Sequence, residues 1–185
     1  MTYKQATDHL ILVDENDNEL GFEEKMKAHE NGGKLHRAFS IFVFDDDKKM
    51  ILQKRADSKY HCGGLWTNTC CSHPAPGESL EDAVHRRLKE EMGFDCELKE
   101  IMSFTYKASF ENGLTEWEFD HVFIGSYGRR IIPDPAEVGD IKAVSVNDLK
   151  RYIKDCPNIY TPWFKIVAAK VIDYVEKHPF RNYSA

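Results

Sequence analysis

The chain reads as an α+β or α/β sandwich, one domain over residues 1–185 in which helices pack on a mixed, antiparallel-rich sheet. Three observations predict it. Short β-branched and aromatic runs come in pairs separated by turn sequences. A strongly amphipathic helix stands between two such pairs. Two more helical segments follow the last strands, and no repeat, low-complexity tract or long linker breaks the order.

The elements follow in sequence. His9 to Val13 is an apolar run ending at Asp14-Glu15-Asn16-Asp17-Asn18, a strand entering a turn. Lys25 to His29 has room for one helical turn, closed by Asn31-Gly32-Gly33. Ala38 to Phe44 and Met50 to Lys54 have strand composition, with Asp45-Asp46-Asp47 as the hairpin turn. From Arg55 to Pro76 the chain is dense in Gly, Pro, Asn, Ser and Cys, and so long an irregular segment in a compact domain points to function. Ser79 to Met92 is the strongest helix. Ser79 and Asp82 have capping-box spacing, Leu80, Ala83, Val84, Leu88 and Met92 share one face, and Gly93 fits the stop. Strands follow at Leu98 to Phe110 and Glu116 to Tyr127 around Glu111-Asn112-Gly113, with a short strand at Ala143 to Val146. Helices at Asn147 to Lys154 and Pro162 to Lys177 finish the chain.

Composition excludes several classes. At 185 residues, 42% hydrophobic and 30% charged, the chain can bury one full core. A net charge of −6 without a basic block argues against nucleic acid as a partner. No apolar run approaches membrane-spanning length and Met1 to Asp8 has no signal-peptide core, so membrane insertion is not expected and the cytoplasm is the expected location. Five cysteines without an extracellular signal argue against a disulfide framework and leave thiols free for chemistry.

The densest chemistry lies in Trp66-Thr67-Asn68-Thr69-Cys70-Cys71-Ser72-His73-Pro74, where two thiols stand beside an imidazole. His29 and His36 lie seven residues apart across the Gly-Gly turn. Glu116 and Glu118 are two apart on a strand and so face the same way. Three imidazoles with two carboxylates form a mixed N/O set suited to Mn²⁺, Mg²⁺ or Zn²⁺; the competing reading of the pair is a solvated acidic edge strand. Lys25, Arg55 and Lys59 are candidates for the anionic end of a substrate, or else surface decoration.

Gly77-Glu78, Arg86, Leu88, Glu90-Glu91 and Gly93-Phe94 resemble the Nudix box, a loop and helix that aim carboxylates at a hard cation gripping a diphosphate. Ser72 replaces its first Gly and Arg87 replaces the Glu after Arg86; the loss of that Glu removes one expected ligand, which counts against cleavage and is compatible with diphosphate binding. Read without the family, Glu90 and Glu91 are an acidic helix face paired with Arg86 and Arg87.

Together with Leu35-His36-Arg37-Ala38-Phe39-Ser40 and Pro162-Trp163, these residues resemble the type 1 isopentenyl-diphosphate isomerase family over almost the whole chain. The resemblance implies a Nudix-like α/β/α sandwich that converts isopentenyl diphosphate to dimethylallyl diphosphate in isoprenoid biosynthesis. By position it implies Cys71 and Glu118 as catalytic groups, and Tyr106 and Trp163 at the hydrocarbon end. It implies His29, His36, His73, Glu116 and Glu118 as metal ligands, Glu91 on a Mg²⁺ that comes with the diphosphate, and Lys25, Arg55 and Lys59 on the diphosphate itself. The partner is then a small isoprenoid diphosphate, and the protein a monomer or weak homodimer. His61-Cys62-Gly63-Gly64 departs from the family's aromatic-Pro-Gly turn. The rival readings are a Nudix-type diphosphate hydrolase, disfavoured by Arg87, and a structural zinc protein, for which the adjacent Cys70 and Cys71 are poorly spaced.

Overall fold

In the computed structural model the described residues are 8–59, 61–110 and 112–178. The ends of the expected domain, residues 1–7 and 179–185, and Glu111 of the expected turn lie outside them. The elements are β1 (His9–Val13), β2 (Glu19–Glu24), α1 (Lys25–His29), β3 (His36–Phe44), β4 (Met50–Arg55), β5 (Trp66–Thr67), β6 (Cys70–Ser72), α2 (Leu80–Met92), β7 (Leu98–Ser109), β8 (Thr115–Ser126), β9 (Val138–Val144), α3 (Val146–Asp155), a 3₁₀ turn (Pro157–Ile159) and α4 (Pro162–Lys177). Among the described residues all nine strands join one sheet. It is mixed: β3 and β8 run parallel over nine residue pairs, and the other pairings are antiparallel.

Strand parity sorts the two faces. Phe42 and Phe44 of β3, Met50 and Leu52 of β4, and Val122 and Ile124 of β8 pack under α3 and α4 against Leu149, Trp163, Phe164, Val167 and Val171. The alternate residues Phe39, Ile41, Val43, Ile51 and Phe123 pack under α2 against Ala83, Val84, Leu88 and Met92. Helix α2 begins where Ser79 Oγ accepts from Asp82 N–H at 3.0 Å and ends at Gly93 in the left-handed conformation, φ 73°.

The expected strand at Ala143 to Val146 begins five residues earlier, at Val138, and ends at Val144, and Val146 already opens α3 behind its N-cap Ser145. The strand β2 was not expected at all. Both are edge strands with a single neighbour and an exposed face, so charged residues replace the apolar alternation that marks a strand.

One irregularity creates the site. The β3–β4 hairpin pairs only at its tip, Phe44 with Met50, and then opens. The segment 66–72 is wedged into the opening, β5 on β4 and β6 on β3. Its polar side chains satisfy the backbone of the splayed strands. Asn68 Nδ2 donates to the Ile41 and Cys70 carbonyls at 3.2 and 2.6 Å, and Thr69 Oγ1 donates to the Ile51 carbonyl at 2.7 Å and accepts from Val43 N–H at 2.8 Å. All three of Thr67, Asn68 and Thr69 are fully buried, which explains the Thr-Asn-Thr sequence. Thr161 N–H donates to the Trp66 carbonyl at 3.0 Å, tying the start of α4, and with it Trp163, to this wedge.

Candidate active site

Register brings the candidate residues together. His36 on β3 lies opposite Glu118 on β8, and Glu118 lies opposite Tyr106 on β7. On the other flank of β3, Ser40 lies opposite Cys71 on β6. Cys71 and Glu118 thus enter one pocket from opposite sides of the same strand. That pocket is also lined by Lys25, Arg55, Lys59, His61, Arg87, Glu91, Glu116 and Trp163. A wider depression of about 530 Å³ at Asp45, Tyr127 and Arg129 holds none of these groups.

The side chains of His29, His36, His73 and Glu118 offer ligand atoms that all lie within 4.8 Å of one another. His29 Nδ1 lies 2.6 Å from the Lys25 carbonyl and His36 Nδ1 2.8 Å from the Lys34 carbonyl. A carbonyl only accepts, so each Nδ1 carries the proton and each Nε2 presents a lone pair. Both Nε2 atoms are buried, and neither has a hydrogen-bond partner among the described residues. His36 Nε2 and His73 Nε2 stand 3.7 and 3.2 Å from Glu118 Oε1. Two buried Nε2 atoms without a partner among the described residues, beside a third imidazole and a carboxylate, form a donor set that fits a divalent ion. Burial pushes His29 down from its ordinary pKa and His73 down to about 3, and both are the neutral form a metal needs.

Glu116, the fifth residue of the expected ligand set, lines the same pocket and bonds two of its neighbours there. Glu116 Oε1 lies 2.8 Å from His61 Nε2, and its Oε2 accepts from the Tyr106 hydroxyl at 3.3 Å. Tyr106 also donates to Glu118 Oε2 at 2.5 Å. The two carboxylates are driven apart. Burial raises both, but the His36 and His73 imidazoles beside it hold Glu118 well below the usual carboxylate range. Burial and the Glu118 charge push Glu116 well above it. Burial, then the Glu118 charge, raises Tyr106, and burial pushes the Cys71 thiol up to about 12, so both keep their protons. Cys70 is fully buried in the core under α2, facing away from Cys71.

The other end of the pocket is cationic. Arg55 Nε and Arg87 Nε are buried with no hydrogen-bond partner among the described residues, donors that an anion would satisfy. Burial, and then the neighbouring Arg87, Lys59 and Arg55, lowers the Lys25 pKa. Glu137 pairs with Lys59 and lies 3.6 Å from Arg87. Of the box acids, Glu91 is buried and accepts from Arg87 at 2.6 Å and Gln53 at 2.9 Å. Glu90, more exposed, pairs with Arg86 and Arg87 as the solvated-face reading expected. Glu78 is clamped by Arg86 through two bonds of 2.6 and 2.8 Å and lies outside the residues lining the pocket. Trp163 is 3% exposed, with the Arg55 guanidinium 5.3 Å from its ring.

Sequence reasoning treated two lining residues only as departures. Arg87, which sits where the box has Glu, joins Lys25, Arg55 and Lys59; its signal was its spacing of four from Glu91 on one helix face. His61 reaches the pocket because the loop after Arg55 folds back tightly, which its composition alone did not show.

The wedge and the box helix define a class: the NUDIX domain model matches residues 34–164. Solved structures share the fold, among them DR0079 from Deinococcus radiodurans (TM-score 0.72, 15% identity, 88% of this chain and 98% of that one) and a MutT protein from Methanosarcina mazei (0.62, 16%, 77% and 96%). Sequence relatives go further. The chain is 52% identical over 165 residues to "Isopentenyl-diphosphate Delta-isomerase 2" of Aromatoleum aromaticum, covering 89% of this chain and 87% of that protein. It is 54% identical over 156 residues to the protein of the same name from Photorhabdus laumondii, covering 84% and 88%. The chain belongs to the isopentenyl-diphosphate Delta-isomerase family of NUDIX-domain proteins.

Proposed function

We propose that this pocket moves the double bond of isopentenyl diphosphate to give dimethylallyl diphosphate. The observation that supports the reading best is the approach of a protonated thiol, Cys71, and a Tyr106–Glu118 pair from opposite flanks of β3 into one buried pocket with a cationic end. The isomerisation needs a proton added to the terminal methylene carbon and another removed from the carbon nearer the diphosphate. A tertiary cation stands between the two transfers. Cys71 and the Tyr106–Glu118 pair divide them. The indole of Trp163 lines the place where that cation forms, offering a π face and no nucleophile. Burial keeps out the water that would trap the cation as an alcohol. Lys25, Arg55, Lys59 and Arg87 hold the diphosphate, so binding energy remote from the reacting carbons orients them.

His29, His36, His73 and Glu118 would hold a divalent ion, Mn²⁺, Zn²⁺ or Mg²⁺, which would fix Glu118 and lower its proton affinity. Glu91 would hold a Mg²⁺ brought by the diphosphate. Among the described residues no helix is long and apolar enough to cross a membrane, and the reading includes a cytoplasmic location and a small soluble substrate.

Isopentenyl diphosphate incubated with the protein and Mg²⁺ in D₂O, followed by NMR, tests the reading. Dimethylallyl diphosphate with deuterium in a methyl group is expected. Release of inorganic phosphate or diphosphate, or no reaction, overturns it.

A further inference from the structure

The cations of the diphosphate end stand between two spaces. Lys25, Lys59 and Arg87 line the buried pocket and also a second depression of about 300 Å³ beyond it, which Arg86, Glu90 and Glu137 line as well. Arg55 lines only the inner of the two. The two spaces differ in charge. Arg55 Nε and Arg87 Nε are buried, without a hydrogen-bond partner among the described residues, and are donors left for an anion. Toward the outer depression the cations are already covered by carboxylates. Glu90 Oε2 accepts from Arg87 at 2.5 Å and from Arg86 at 3.1 Å. Glu137 pairs with Lys59 and lies 3.6 Å from Arg87. Its backbone is pinned, the carbonyl accepting from Ala56 N–H at 2.9 Å and the N–H donating to the Asp134 carbonyl at 3.0 Å. Its side chain is 25% exposed against 39% for Glu90, so solvent screens it less.

We propose that Glu137 sets the length of the phosphate chain the pocket accepts, admitting a diphosphate and repelling a third phosphoryl group. An anion seated on these cations from the buried pocket ends where Lys59 and Arg87 stand. A longer chain would continue into the outer depression, which has the volume for it, so space does not exclude it. Charge does. The added phosphoryl group would lie among Glu137 and Glu90, whose partners are the cations that the first two phosphoryl groups engage. Like charges a few ångströms apart near a protein surface repel strongly, and the cations that would offset them are already in use. Discrimination of this kind works by repelling the wrong ligand rather than by adding contacts to the right one.

The inference rests on the reading that Lys25, Arg55, Lys59 and Arg87 hold a diphosphate, and the test separates the two. Inorganic diphosphate and inorganic triphosphate, each with excess Mg²⁺, are titrated into the full chain by calorimetry. A site that recognised negative charge alone would take the triphosphate more tightly. Wild type is expected to bind diphosphate about tenfold tighter than triphosphate. Glu137→Gln, which keeps the shape of the side chain and removes its charge, should narrow that ratio by about tenfold. A wild type that binds triphosphate as tightly as diphosphate, or tighter, overturns the proposal and leaves the isomerase reading standing. A Glu137→Gln protein with an unchanged ratio overturns it too, even if both anions bind tighter, since Glu137 would then only mask Lys59 and Arg87. A wild type that binds neither anion overturns the reading of the cationic end, and this inference with it. Should the Gln protein fail to fold, Glu137→Ala takes its place, and the wild-type comparison can overturn the proposal without any variant.

Discussion

The two ends of the pocket are built in different ways. The dry end, with Cys71, Tyr106, Glu116 and Glu118, is a product of strand register: each residue sits on a strand paired with its neighbour. The cationic end takes Lys25 from α1, Arg55 from the end of β4, Lys59 from a loop and Arg87 from α2. Proton transfer demands placement to fractions of an ångström, which a sheet provides. Gripping a doubly anionic group demands charge at reach, which long side chains on unrelated elements provide. The contrast predicts that changes at the dry end strike kcat and changes at the cationic end strike KM.

The largest effect should come from the dry end. Cys71→Ala and Glu118→Gln should each lower kcat by roughly 10²–10⁴-fold, the span of one lost acid–base group, with little change in KM. Cys70→Ala, one residue away but on the opposite face, should cost about 1 kcal/mol of stability and leave kcat within about twofold. Steady-state kinetics beside thermal melts checks both. Equal losses of kcat at Cys70 and Cys71 would break the comparison.

Next is the imidazole cluster. A chelator should abolish turnover and Mn²⁺ should restore it. The ion should also stabilise the fold, because it would give a partner to the buried Nε2 atoms of His29 and His36. At a hundredfold excess over Kd the gain should be about 2.7 kcal/mol, read as a higher Tm. The His36→Ala protein should lose most of that metal-dependent shift; an undiminished shift would place the ion elsewhere.

At the cationic end, Arg87→Ala should raise KM by about ten- to a hundredfold, as expected for losing a charge-assisted bond to the diphosphate. Its kcat should change far less than that of Cys71→Ala. Inhibition by inorganic diphosphate should weaken in parallel. A fall in kcat with unchanged KM would move Arg87 to the other end of the comparison.

The same contrast explains what could be read from the sequence. Strand parity made Glu116 and Glu118 a pair, and the spacing of apolar residues fixed the buried face of α2, because both rest on local periodicity. That Glu116 meets His61 was not legible, since the two are 55 residues apart and the turn that brings His61 in has no room for a Cβ at Gly63 against the Asp57 carbonyl. The role of Asn68 and Thr69 was hidden for a related reason: their partners include carbonyls and an amide of two strands that open only in three dimensions. Arg87 looked like a loss because the pattern asked for a carboxylate, whereas it lines the pocket beside Lys25, Arg55 and Lys59.

Helix α2 and the loop before it carry carboxylates of two kinds, and the smallest predicted effect separates them. Glu91 faces the pocket, whereas Glu78 accepts two bonds from Arg86 and one from Ala75 N–H, closing the loop onto the helix. Burial works against its charge, but Arg86 and the Ala75 amide hold its pKa below the usual value. A depressed carboxylate stabilises the fold above its unfolded pKa of about 4.3 and loses that contribution as pH falls through the folded value. Glu78→Gln should therefore cost about 1 kcal/mol at pH 7, a modest figure because solvent screens the pair. The gap between wild type and Glu78→Gln should close as the pH drops below about 4, with kcat at neutral pH within about twofold. Urea melts across pH read this directly. A gap that persists in acid would mean that shape rather than charge holds the loop, and a large fall in kcat would make Glu78 part of the pocket after all.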